Sequence, residues 1–192
     1  MTSGADPNEV RLTGENPLII LKQEGVDEET SRASFWRILL SPAGSGHVLF
    51  LVSELTEDEV RIYSDNIALA RWLQREIMTR QPAFRDENIP VIESTNEHEG
   101  DLRSFWTERV SSTDDDIVLT WYDLQESFVV HSAPGEVPER VHGIYSVFIP
   151  ARSAQITVNG MASYGKPYER EQYGQAGSSA FLAFSETWVR PR

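Results

Sequence analysis

Short apolar, strand-like runs separated by polar and turn-forming residues recur along this chain, some nearly continuously apolar and others alternating, and one stretch has a helical spacing instead. Strand-like runs are Pro17 to Glu24 (PLIILKQE), Ser34 to Ser41 (SFWRILLS), His47 to Glu54 (HVLFLVSE) and Glu59 to Tyr63 (EVRIY). Ile89 to Thr95 is a further short run, and residues 101–149 hold four more, separated by turn-like breaks. PAGSG between the second and third runs supplies a hairpin turn, because Gly44 and Gly46 permit backbone that other residues resist. Asn159-Gly160, between Ala154 to Val158 and Met161 to Tyr164, is the clearest short hairpin signal, since both residues tolerate positive φ. The last strand is expected over Ser179 to Val189.

The exception is Asp65 to about Arg80. Ile67, Ala70, Leu73 and Ile77 recur at a spacing of three to four, Ser64 or Asp65 is placed to cap the start, and Pro82 stops the pattern. Residues 1–16 read as a flexible polar tail, NEHEGD (96–101) as a turn, and 165–177 as a long polar loop. The sum predicts a mainly β (or α+β) domain over residues 17–192. It is an antiparallel barrel or sandwich, calycin-like in general shape, with one amphipathic helix packed on it.

Strand parity places chemistry on faces, because successive side chains point to opposite sides. A hairpin symmetric about SSTDDD sets Val110 opposite Ile117, Glu108 opposite Leu119 and Trp106 opposite Trp121, with Asp123 on the same face. Two carboxylates among two indoles then share a mostly apolar face. There they either pair with nearby donors or serve a ligand. Burial beside an indole raises a carboxyl pKa and suits it to general acid work.

The order Trp-Thr-Glu at 106–108 is reversed as Glu-Thr-Trp at 186–188, and parity puts Glu186 and Trp188 on one face of the last strand. A second symmetric hairpin, turning at APGEVPE, sets His131 opposite His142. At that separation two imidazoles suit either a divalent metal, with Glu108 or Asp123 as a third ligand, or a base and its orienting partner. Trp106, Glu108, Trp121, Asp123, His131, Tyr145, Glu186 and Trp188 are thus expected to line one cavity. Glu108, Asp123 and His131 are the catalytic candidates, and Trp106, Trp121, Tyr145, Glu186 and Trp188 the ligand-binding ones. His47 and His98 read as surface residues. Tyr168, Arg170 and Tyr173, in the 165–177 loop, are placed to reach over a pocket.

Composition narrows the partners. The 192 residues carry a formal net charge of −13, a field that repels phosphate backbones and anionic membrane surfaces. Neither nucleic acid nor membrane is expected as a partner. There is no cysteine, so disulfides, thiol nucleophiles and thiolate metal sites are excluded. No secretory pattern opens the chain, and the cytoplasm is the expected location. His-Glu-x-x-His, G-x-S-x-G, Walker A and G-x-G-x-x-G patterns are all missing. Three functions remain. The first is a small-molecule-binding β protein for a sugar-like or aromatic ligand, with no organic cofactor. The second is a cofactor-independent lyase, isomerase or hydrolase using Glu, Asp and His. The third is a structural or oligomeric interaction domain, as a homo-oligomer would require.

Overall fold

The computed structural model describes residues 8–138 and 140–192. In chain order the strands begin with β1 (Asn8–Glu15), β2 (Leu18–Lys22), β3 (Glu29–Leu40), β4 (Gly46–Ser53) and β5 (Arg61–Ser64). Helix α1 (Ile67–Glu76) follows. Then come β6 (Val91–Glu93), β7 (Thr95–Asp101), β8 (Phe105–Ser111), β9 (Asp116–Leu124), β10 (Phe128–Ser132) and β11 (Gly143–Val158). The chain ends with β12 (Met161–Ala162), β13 (Glu169–Gln172), β14 (Gln175–Ser178) and β15 (Ala180–Pro191). The protein is mainly β with one α-helix among the described residues, as the closely spaced strand-like runs and the single helical stretch predict.

Thirteen strands form one sheet, with the path β6-β5-β4-β3-β1-β15-β11-β9-β8-β7 and with β2, β10 and β12 branching from it. All the pairings are antiparallel except β5 with β6. The edge strands at the two ends of this path, β6 and β7, are separated in sequence by Ser94 alone. The two ends of the path are thus joined through one residue, and no hydrogen-bonded ladder joins β6 to β7 among the described residues.

Two apolar cores follow from strand parity. In β3 and β4, Trp36, Val48 and Phe50 face α1 with Leu69, Leu73 and Phe84, while Phe35, Leu49 and Leu51 face the other way. That second, inner core is completed by Val110, Ile117, Leu119 and Trp121 from β8 and β9 and by Ile156 and Val158 from β11. β11 serves both ends of the sheet: Gly143 to Pro150 pairs with β15, and Ala151 to Val158 with β9.

Several expectations are corrected. Residues 8–15 form β1, between β3 and β15, with Leu12 fully buried; only residues 1–7 of the expected tail lie outside the described residues. NEHEGD is not a turn but most of β7, an edge strand held by its backbone to β8. Its side chains are largely exposed, so apolar alternation does not mark it. Residues 165–177 contain most of the β13–β14 hairpin, whose turn uses Tyr173 at φ 52° and Gly174 at φ 75°. The helix is capped by Asn66, whose side chain accepts from the Leu69 N–H, rather than by Ser64 or Asp65.

Candidate functional site

The β8–β9 register is the one that symmetry about SSTDDD predicts: Trp106 opposes Trp121, Glu108 opposes Leu119, and Val110 opposes Ile117. Trp106 and Glu108 accordingly face the inner core. The Trp106 Nε1–H donates to Glu108 Oε1 at 2.8 Å, and Arg37 Nη2, from the facing strand β3, donates to both Glu108 oxygens at 2.8 Å. Arg37 also donates to Glu15 through Nη1. Glu108 is fully buried. Burial pushes its carboxyl up to about 7, against the opposing pull of Arg37 and the Trp106 hydrogen bond.

Arg37 also lines a groove of about 1090 Å³. One wall comes from β3, β4 and the turn into α1, with Arg37, His47 and Asp65; the other comes from β6 and β7, with Glu93, Asn96 and His98. Asp65 accepts the His47 backbone N–H at 2.7 Å through Oδ1, and its Oδ2 lies 2.6 Å from His47 Nδ1. The His47 ring stacks on Phe35 with centroids 6.0 Å apart. Glycine at 46 makes this possible. Its φ is 149°, and a Cβ there would lie 2.6 Å from Asp65 Oδ1. Across the groove the His98 ring stacks on Trp106 at 5.2 Å, and Phe184 meets the same indole edge-on at 5.6 Å. Asn96 Nδ2 is buried with no hydrogen-bond partner among the described residues.

An imidazole held at Nδ1 by a carboxylate presents Nε2 to whatever occupies the groove. A buried donor without a partner is costly, and a ligand acceptor would relieve it. Of the residues expected to act, Trp106 and Glu108 lie behind this groove, in contact with its lining residues His98 and Arg37 without lining it themselves. Arg37, His47, Asp65, Asn96 and His98 come from segments that sequence reasoning had set aside. The stacking of His47 on Phe35 follows from β3–β4 pairing, but the meeting of β3–β4 with β7–β8 is a tertiary event without a local signal.

The other expected residues lie elsewhere. Trp121 is fully buried in the inner core and donates from Nε1 to the Leu18 carbonyl at 3.0 Å. Asp123 has φ 51°, which breaks the alternation: it faces solvent and accepts from Ser153 Oγ at 2.9 Å, while Leu124 returns to the inner core.

His131 opposes Tyr145, not His142, and both are exposed. The connection between β10 and β11 is unsymmetrical, so the register differs by three residues from the symmetric one. That odd shift reverses the face, and the expected histidine pair does not form. Among the described residues no cluster of three or more His, Asp or Glu is arranged to hold a metal.

Glu186 and Trp188 belong with the helix-side core, because Ser185, at φ 54°, inserts a bulge opposite Ser146 and reverses the parity set by Phe184. Trp188 Nε1 donates to Glu186 Oε1 at 2.6 Å, and the Arg140 guanidinium lies 5.6 Å from the Trp188 ring. His142 packs against the same indole at 5.7 Å; burial lowers its pKa. Burial pushes the Glu186 carboxyl up to about 7. The two Trp–Glu pairs therefore serve two cores rather than one cavity. Tyr173 accepts from Arg140 through its hydroxyl at 2.7 Å, and the Tyr168 ring lies beneath the Lys22 ammonium at 4.7 Å.

No family model, curated protein or solved structure matches the chain. Among the described residues no helix is long and apolar enough to cross a membrane.

Proposed function

We propose that the protein binds a small, polar, sugar-like ligand in the groove between His47 and His98. The observation that carries this reading is the convergence there of oriented polar and aromatic groups from β3, β4, the turn into α1 and β7, one of them a buried donor without a partner among the described residues. His47 is oriented by Asp65, and Asn96 holds a buried donor without a partner. Arg37 is clamped by Glu15 and Glu108, and His98 lies on Trp106. Mixed donors and acceptors beside aromatic rings suit hydroxyl-rich ligands. In finer outline we propose a barrel-like, calycin-like shape with the groove at its mouth, a reading supported by the link of the two edge strands through Ser94.

A panel of mono- and disaccharides screened by thermal shift and followed by calorimetry tests the proposal, since a ligand of the folded state raises its stability. Binding is expected to be lost in Asn96→Leu and His98→Ala and kept in Tyr145→Ala. No stabilisation by any member of the panel, or equal binding by all three variants, removes the groove from consideration.

A second reading, an acid–base enzyme using the same groove, is favoured by the 2.6 Å contact of His47 Nδ1 with Asp65 Oδ2 at the groove wall. His47 would take a proton at Nε2, with Asp65 stabilising the imidazolium. His47→Gln should then abolish turnover of a bound sugar while leaving its affinity within about threefold, a difference worth under 1 kcal/mol.

A further inference from the structure

The chain has two lysines, Lys22 and Lys166, and the fold places them opposite each other. The Lys22 backbone N–H donates to the Lys166 carbonyl at 3.1 Å, and the Lys166 N–H returns the bond at 2.8 Å. Gly165, at φ 94°, permits the approach: a Cβ there would lie 2.6 Å from the Lys22 carbonyl oxygen. Beside this bridge runs a groove of about 550 Å³ between residues 22–26 and 164–168. It shares no lining residue with the His47 groove.

The chemistry of this groove is unlike the rest of the surface. In a chain of net charge −13 it carries two ammonium groups against one carboxylate, Glu24. Neither lysine forms a salt bridge among the described residues. Its floor and flanks are apolar or aromatic: Val26 is 43% exposed, Tyr164 is 73% exposed, and Tyr168 carries the Lys22 ammonium over its ring. Beyond Tyr168 a second groove holds Arg152 and Arg170, but there Glu169 and Glu171 balance them. An anion is favoured only on the lysine side.

We propose that this groove is a second ligand site, one that takes a small aromatic carboxylate or sulfonate. The anionic group would sit between the two ammonium groups, and the ring would lie against Tyr164 and Val26. Charge-assisted contacts to both lysines fix the head of the ligand, while the exposed apolar surface gives its body something to cover.

The probe is 1-naphthoate, with 1-naphthylmethanol as its uncharged counterpart. The acid should bind at least about tenfold more tightly than the alcohol, and the Lys22→Met/Lys166→Met double variant should remove that preference. Methionine removes each charge and is unbranched and only one atom shorter than lysine, so most of each side chain's volume is kept. A measurement on the unaltered protein stands beside this one. Acetylation with an activated ester, read by peptide mass spectrometry, reports each lysine separately. Saturating 1-naphthoate should slow modification at both lysines by about tenfold, whereas 1-naphthylmethanol should not. Equal affinity for acid and alcohol, or unchanged acetylation of both lysines with the acid present, overturns the site.

Discussion

Two Trp–Glu pairs, Trp106 with Glu108 and Trp188 with Glu186, use the same local device: an indole N–H donates to a carboxylate two positions along the strand. They differ in what else the carboxylate receives. Glu108 has Arg37 on both oxygens, whereas Glu186 Oε2 is buried with no partner among the described residues. The Glu186 carboxyl rises from an ordinary 4.5 to about 7. The folded state then holds a proton that the unfolded state has released between those values. Its contribution is full below about pH 4.5 and is lost as pH rises through 7. Glu186→Gln, which keeps the shape without the charge, should therefore leave stability unchanged at pH 4 and raise it by about 1–3 kcal/mol at pH 8. Urea unfolding at the two pH values reads the difference, and a loss at pH 8 would mean that the carboxylate is ionised and held. His142, whose pKa burial lowers, acts in the opposite sense: its contribution fades as pH falls through its depressed folded value.

Among the elements, α1 depends on one residue that also shapes the groove. Asn66 accepts from Leu69 N–H through Oδ1, and its Nδ2 donates to the carbonyls of Ala43 at 3.2 Å and Ser45 at 2.9 Å. Asn66→Ala removes the cap and releases the 43–45 turn, which should cost about 1–2 kcal/mol by thermal or urea unfolding. Because Asp65 is its neighbour, affinity for a groove ligand should fall in the same variant. The bulge at Ser185 makes a second test. At φ 54° a β-branched residue is strained, so Ser185→Val should destabilise by about 1–3 kcal/mol. Ser185→Gly should be neutral or slightly stabilising. The contrast explains which elements are legible in sequence. The β8–β9 hairpin is readable because its turn is symmetric and its register runs unbroken from Ser111 opposite Asp116 to Phe105 opposite Tyr122. Asp123 and Ser185 adopt left-handed backbone with neither glycine nor asparagine to announce it, and each misplaces the residues that parity would assign beyond it. Polar β7 escapes notice because edge pairing needs only its backbone.

At the scale of the molecule, the fold class was legible and half of the site was not, for one reason. Periodicity reports what each strand does, whereas the groove exists only because β3–β4 and β7–β8 meet across the inner core. Trp106 and Glu108 were reachable by hairpin arithmetic; Arg37, His47 and Asn96 required knowing which strands face each other. The same arrangement has a consequence for stability. β3 and β4 divide their side chains between the two cores: Trp36 and Phe50 lie on the helix side, Phe35 and Leu49 on the inner side. Neither core can then dissolve while the other keeps its strands in place, so unfolding should be a single cooperative transition. The tryptophans permit a direct check, since Trp36, Trp72 and Trp188 report the helix-side core and Trp106 and Trp121 the inner one. Far-UV circular dichroism and tryptophan fluorescence should give coincident urea curves. Phe50→Ala and Leu119→Ala, each truncating a fully buried side chain in a different core, should cost about 2–5 kcal/mol and shift both curves together. Two resolved transitions, or a variant that moves only one probe, would show that the cores are independent units and that the shared strands do not couple them.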